Sequence, residues 1–278
     1  MYKRAYGIIE ALAPLHVGAT AGEESGNLNL IFRDQFTQTG IIPGSSIRGR
    51  FRSEMRRDSK GDENLWYGAP AETGESDSTT ESVVKFEYAS LLWLPVFCPG
   101  QPVVWVSCPK LLKRYQRIVG GELKNAKIPE NYTGSSTLKP LSVEGKKKLF
   151  FNFGFLELKA TTNLKAWFPN GEELPAVVVA DDEIGMIHDM ALYRQSRVRL
   201  KDDEKRVDGG GFFNTEALPE GTIMVFPIAI RETRDTEPKS LWKPFRDGDQ
   251  SSDIYLGGLE SIGFGNCQIT LKGEGVTA

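Results

Sequence analysis

The chain has 278 residues, with 34 Lys and Arg against 37 Asp and Glu, for a formal charge of −3 at pH 7. That balance excludes a protein coated uniformly by nucleic acid, and 40% hydrophobic with 26% charged residues excludes disordered and fibrous classes. No run of about 18 apolar residues exists to form a transmembrane helix, and the three cysteines, Cys98, Cys108 and Cys267, form no CxxC pair. With only two histidines, neither a zinc site nor a disulfide framework is expected. Met1 to Arg4 lead straight into a strand pattern without a signal-peptide core, so a reducing cytoplasm and no membrane partner are the expectations.

The alternation around Tyr2, Tyr6 and Ile8 predicts a first strand over 2–12. Residues 13–40 read as a long irregular loop, a length that signals function or mobility. The segment 44–58 places Ile47, Phe51 and Met55 at i, i+4 and i+8, an apolar helix stripe, with Ser45 or Ser46 as N-cap. Arg48, Arg52 and Arg56 run along a neighbouring face. Six acids and no base in 61–82 predict a solvated, mobile loop. Strands are expected over 84–97 and 102–107 around a Pro99-Gly100 turn, then a helix over 109–119 capped by Ser107. The Lys- and Ser-rich 120–148 reads as exposed. Strands near 149–159 and 174–180 follow, then a helix from Asp181-Asp182-Glu183 through Tyr193. Residues 194–216 read as an extended hairpin, and strands near 222–230 and 266–272 close the chain. The order β…α…β-β…α…β predicts an α+β fold with ferredoxin-like packing and large insertions.

Several segments carry candidate chemistry. In 44–60 the net charge is +4, and small residues Gly44, Ser45, Ser46 and Gly49 let backbone N–H groups approach an anion at a helix start. The arginines suit phosphate oxygens. GxxxxGK[ST] is absent, so this is no P-loop. Charge alone favours a capped amphipathic helix with a solvated basic face. The second segment, 194–206, nets +3 through Arg194, Arg197, Arg199, Lys201, Lys205 and Arg206, ahead of three glycines and Phe212-Phe213. It suits a nucleic-acid backbone, or an exposed hairpin laced by salt bridges. The third, 110–127, nets +5 and reads as the solvated back of a helix. The fourth, Gly257 to Gly265, can approach phosphates closely or form a tight turn. His16 is a candidate phosphate or sugar contact, or a general acid or base; His188 reads as structural.

Together these segments resemble the repeated backbone subunit of the type III-B (Cmr) CRISPR effector complex, in the RAMP superfamily of RNA-binding proteins. The resemblance is carried by Leu15-His16-Val17-Gly18, Ile42-Pro43-Gly44-Ser45-Ser46-Ile47-Arg48-Gly49, Leu91-Leu92-Trp93-Leu94-Pro95-Val96 and Ser107-Cys108-Pro109-Lys110-Leu111-Leu112. It continues through Gly209-Gly210-Gly211-Phe212-Phe213 up to Leu218-Pro219, and ends at Gly257-Gly258-Leu259-Glu260-Ser261-Ile262-Gly263-Phe264-Gly265. It implies a single domain over 1–278. The palm is a modified ferredoxin-like (RNA-recognition-motif) fold with inserted fingers. Residues 13–40 form an active-site-type loop, 61–82 an acidic insertion and 194–216 a thumb-like hairpin.

The resemblance further implies copies stacked along a CRISPR guide RNA beside other type III subunits, with complementary target RNA paired to the guide in antiviral defence. Guide or target RNA would meet His16, Ser45, Ser46, Arg48, Arg52, Arg56, Arg194, Arg197, Arg199, Gly263 and Gly265. The family cuts target RNA with an aspartate in the loop after His16 and a divalent ion such as Mg²⁺; no tightly bound cofactor is expected. Here the position falls on Leu28, or on Asn27 or Asn29 with a one-residue shift. Asparagine supplies neither a general base nor a charged metal ligand. Weak or absent cleavage follows, unless Asp34 or Glu24 substitutes. A stand-alone guide-processing ribonuclease using His16 is the remaining alternative.

Overall fold

A computed structural model of the chain describes residues 1–18, 28–58, 62–69, 80–200, 207–232, 242–245 and 249–276. The elements begin with strand β1 (Tyr2–Ala11), the two-residue strands β2 (Leu28–Asn29) and β3 (Ile41–Ile42), helix α1 (Gly44–Asp58) and helix α2 (Asp62–Tyr67). Strands β4 (Val84–Phe86), β5 (Ala89–Cys98) and β6 (Gln101–Ser107) lead to helix α3 (Pro109–Val119). Strands β7 (Thr133–Ser135), β8 (Leu141–Val143), β9 (Lys146–Phe151), β10 (Gly154–Glu157), β11 (Ala160–Thr162) and β12 (Ala176–Val178) precede helix α4 (Ile184–Ala191). The chain closes with β13 (Tyr193–Leu200), β14 (Val207–Ala217), β15 (Ile223–Arg231), β16 (Ser251–Tyr255) and β17 (Asn266–Gly273).

The heart of the main sheet is the run β17-β1-β15-β5. Strand β1 is antiparallel to both β15 and β17, and β15 is antiparallel to β5. That is the split βαβ order of a ferredoxin-like fold, with β1, β5, β15 and β17 as its four strands in sequence. The insertion between β5 and β15 contributes β6, β12, β7 and β11 to one side, and β16 extends the other. Gly7 faces Phe226 across the β1–β15 ladder, and a Cβ there would collide with the Phe226 ring. The missing side chain is what lets that ring lie across β1.

The two sheet faces bury different sets. On one, Ile47, Phe51 and Met55 of α1 join Ile9, Met224, Phe226 and Trp242. Phe51 stacks on Phe86 at 5.5 Å and on Phe245 at 5.6 Å. On the other, Leu112 and Tyr115 of α3 pack with Ile8, Val225, Trp93, Trp167 and Phe168, and Trp93 stacks on Phe168 at 4.6 Å. Side chains of this size contribute about 1.5–3 kcal/mol each when fully buried.

Several sequence expectations are corrected. Helix α1 already begins at Gly44, so Ser45 and Ser46 occupy its first turn rather than the cap. The acidic stretch 61–82 carries helix α2, because Trp66 and Tyr67 bury against α1 and Trp242 and outweigh the acids around them; the Trp242 indole N–H donates to the Tyr67 hydroxyl at 3.1 Å. Ser107 ends β6, and the cap of α3 is supplied from afar: Asp181 Oδ1 accepts the Lys110 N–H at 2.8 Å. Within 120–148, Thr133–Ser135 form a buried strand because their polar groups are paired; Ser135 Oγ accepts the Ala176 N–H at 2.8 Å. The strand expected over 84–97 breaks into β4 and β5, and that near 149–159 is the hairpin β9–β10. Helix α4 stops at Ala191, and Tyr193 begins β13. Strand β16 has no counterpart among the expected strands, since only Ile254 of its five residues is buried.

Candidate nucleic-acid interface

His16 follows β1 where the chain is pinned on two sides. Leu15 exchanges backbone hydrogen bonds with Leu218 at 2.9 Å, and the His16 carbonyl accepts the Gly258 N–H at 2.9 Å. The imidazole is buried and its Nδ1–H donates to the Glu216 carbonyl at 2.7 Å. Gly257 lies at φ +80°, and a Cβ there would overlap the His16 carbonyl oxygen. The closing glycine loop therefore rests backbone to backbone on His16, an approach only glycine permits.

That loop also reaches the other predicted segments. Glu260 accepts from Arg50 of α1 at 3.3 Å. Phe264 lies 5.0 Å beneath the Arg197 guanidinium of β13 and 6.0 Å from Tyr193, edge to face. First strand, arginine helix, hairpin and glycine loop, scattered along the chain, converge here. Gly263 lies at φ +93° with open space where a Cβ would stand, and Gly265 packs against the Leu256 carbonyl.

At the base of the β13–β14 hairpin, two guanidiniums and two carboxylates form a closed ring. Arg33 donates to Asp189 Oδ1 at 3.0 Å and to Glu216 Oε2 at 2.9 Å. Arg194 donates to Asp189 Oδ1 at 2.8 Å and to Glu216 Oε1 at 3.0 Å. The Glu216 side chain is only 3% exposed, so both arginines compensate a charge removed from water. Burial pushes the Asp189 carboxyl up, but the hydrogen bonds and charges of Arg194 and Arg33 hold it below the usual carboxylate range. Beside the ring, burial and the Arg33 charge push the His188 imidazole down to about 3, so it is neutral. Its Nε2 accepts the Gly40 N–H at 2.9 Å and pins the end of the 13–40 loop to α4.

The α1 residues divide into two groups. Ser45 and Ser46 are exposed at the helix start. Arg48 donates to the Tyr67 carbonyl, Arg52 to Asn64 Oδ1 at 2.7 Å, and Arg56 pairs with Glu63 at 3.5 Å, so all three lean on α2. In the hairpin, Arg194 is held in the ion ring and Arg197 on Phe264, while Arg199 falls at the irregular register between Val198 and Leu200. Leu28 and Asn29 pair with Asn214 and Thr215 of β14, which sets the carboxylate-free position of the loop beside the hairpin base. Asp34 Oδ1 accepts the Phe36 N–H at 3.0 Å and the Thr37 N–H at 2.8 Å. Burial raises its carboxyl, but those donors and the Thr37 hydroxyl bring it below the usual range. Glu24 and Asn27 lie outside the described residues.

This donor set does not fit a divalent ion. Asp189 and Glu216 already face two guanidiniums, Asp34 closes a turn, and among the described residues no three His, Cys, Asp or Glu side chains gather as a metal site. Sequence reasoning missed Asp189, Glu216 and Phe264. Phe264, flanked by two glycines, carried the one usable signal.

A family model described as the RAMP superfamily matches residues 8–268. The Cmr endoribonuclease Cmr4 of a CRISPR system from Pyrococcus furiosus is 24% identical over 280 residues, covering 94% of this chain and 93% of that protein. A chain in the cryo-EM structure of the type III-B Cmr-beta complex bound to cognate target RNA matches at 21% identity and a TM-score of 0.68, with 96% of each chain covered. Oligomeric Cmr4 from Pyrococcus furiosus matches at 18% identity and a TM-score of 0.68, over 98% of this chain and 99% of that one. At these identities the structures establish a common fold.

Proposed function

The chain belongs to the RAMP superfamily, and from that premise we propose that it is the guide-binding backbone subunit of a cytoplasmic type III-B (Cmr) CRISPR effector complex. It stacks with further copies of itself and other type III subunits along a CRISPR RNA and positions complementary target RNA. The observation that carries this reading is the convergence of α1, the basic hairpin and the glycine loop around His16, in a chain matched nearly end to end by Cmr4. The hydroxyl groups of the exposed Ser45 and Ser46 meet guide phosphates at the start of α1. Arg52 can exchange its exposed Asn64 contact for phosphate oxygens at little cost, and the exposed Arg56 follows one turn along the helix. Arg197, over the Phe264 ring at 5.0 Å, adds a cation to the hairpin side of the path. Base pairing, not the protein, selects the sequence.

On the same reading the subunit holds target RNA without efficient cleavage. Asp34, Asp189 and Glu216 are each committed to intramolecular donors, and no carboxylate stands at 28–29. A guide-loaded complex given matched, end-labelled RNA and Mg²⁺ is expected to bind it and leave it intact. Regularly spaced products that disappear in Asp34→Ala would overturn the non-cleaving assignment, and failure of the chain to co-assemble with guide RNA would overturn the backbone assignment.

A further inference from the structure

Helix α3 carries a second basic surface, on the sheet face opposite α1. Lys110, Lys113 and Arg117 fall at i, i+3 and i+7, one side of the helix, and Lys124 follows just beyond its end. With Arg4 of β1 they line a cleft of about 760 Å³ whose far wall is the turn 34–39. Arg4, Lys113, Arg117 and Lys124 form no ion pair with a described residue, unlike Arg50, Arg56 and Arg57 of α1. Asp34 is the one acid lining the cleft, and its Oδ1 is saturated by Phe36 and Thr37.

The cleft also holds aromatics placed beside cations. Phe36 is 82% exposed at the tip of the turn, with the Lys110 ammonium 5.9 Å from its ring centre. Tyr88 lies under the Arg114 guanidinium at 4.2 Å. A second cleft of about 690 Å³ shares Arg4 and Arg117 and runs on to Tyr2 and Lys85, so the two form one groove. Cations without an ion pair to a described residue, running from Lys110 to Arg117 over about 10 Å of helix axis, call for an extended anion, and an exposed ring among them calls for a flat partner. Single-stranded nucleic acid satisfies both, with phosphates on the cations and a base on the ring; an acidic peptide satisfies only the first.

We propose that the α3 groove binds single-stranded RNA, with phosphates on Arg4, Lys113, Arg117 and Lys124 and a base stacked on Phe36. The inference stands whether or not α1 carries a guide. The test is a fluorescence-anisotropy titration of the full chain with labelled oligouridylate across a salt series. The triple change Lys113→Gln, Arg117→Gln, Lys124→Gln alters only surface positions. It is expected to weaken binding on the order of tenfold or more and to reduce the salt slope by about 2, as three phosphate contacts are lost. Phe36→Ala is expected to weaken binding with the slope unchanged. Photo-crosslinking with 4-thiouridine RNA is expected to label the peptide carrying Phe36, and to do so still in Arg52→Ala. Wild-type affinity and slope in the triple variant would overturn the proposal. A loss of binding confined to Arg52→Ala would overturn the groove and leave the α1 path standing. A triple variant that keeps its RNA affinity but changes oligomeric state would overturn it too, assigning the groove to an acidic surface of a second copy.

Discussion

Arg33 and Glu216, 183 positions apart, meet at 2.9 Å at the root of the β13–β14 hairpin. One stands on the loop after His16 and the other on the hairpin strand, and Arg194 and Asp189 close the ring around them. The hairpin is thus tied to the loop through the buried Glu216 carboxylate, beside the pairing of β2 with β14.

Arg33→Ala leaves Glu216 buried with one guanidinium in place of two. Because Arg33 is itself partly exposed, the expected loss is about 1–3 kcal/mol, below the full penalty for an orphaned buried charge. Arg33→Ala with Glu216→Gln should recover part of it, since the unpaired charge is gone. Urea midpoints of the four members of the cycle measure this, and additive losses would mean that the two residues do not interact.

Gly257→Ala and Gly263→Ala separate two demands on glycine. Both positions have positive φ, which costs an alanine about 1 kcal/mol. Gly257 also has the His16 carbonyl where a Cβ would go, whereas Gly263 has open space. Thermal melts should show the larger loss at Gly257, accompanied by weaker RNA binding as the loop lifts from His16. Equal losses would contradict the close approach.

Acid should weaken the fold in a window set by His188. Its folded value of about 3 lies below the unfolded 6.5, so the unfolded chain binds the extra proton. Its contribution is complete above pH 6.5 and is lost as pH falls toward 3, with a slope of up to about 1.4 kcal/mol per unit. Asp189 and Asp34, both lowered, lose their contributions in the same direction but only below about pH 4. His188→Gln should flatten the stability profile between pH 6.5 and 4.5; an unchanged slope would assign the titration elsewhere.

Arg52→Ala should reduce guide affinity by similar factors for unrelated guide sequences and lower the salt slope by about 0.7. The fold should be nearly unaffected, because the contact to Asn64 is at the surface. Filter binding at several salt concentrations reads both quantities, and sequence-selective weakening would argue that Arg52 reads bases.

The sequence by itself determined the local elements whose causes are local. Ile47, Phe51 and Met55 at helical spacing specified α1, alternation specified β1, and Pro99-Gly100 specified the turn before β6. The family resemblance it carries pointed to His16, the serines at the start of α1, the hairpin and the glycine loop as candidate RNA contacts, and left Leu28 and Asn29 where an acid was expected. Tertiary structure decided what depends on partners far away in the chain. Helix α2 exists because Trp66 and Tyr67 find Trp242, against the acidic composition of their segment. The ring of Arg33, Asp189, Arg194 and Glu216 was invisible, since a charge on a strand reads the same whether solvated or paired. The same ambiguity set aside the α3 lysines as a solvated helix face. Only the fold shows them without an ion pair to a described residue along a groove beside Phe36, because pairing and exposure are properties of what folds next to a residue rather than of the residue's neighbours in sequence.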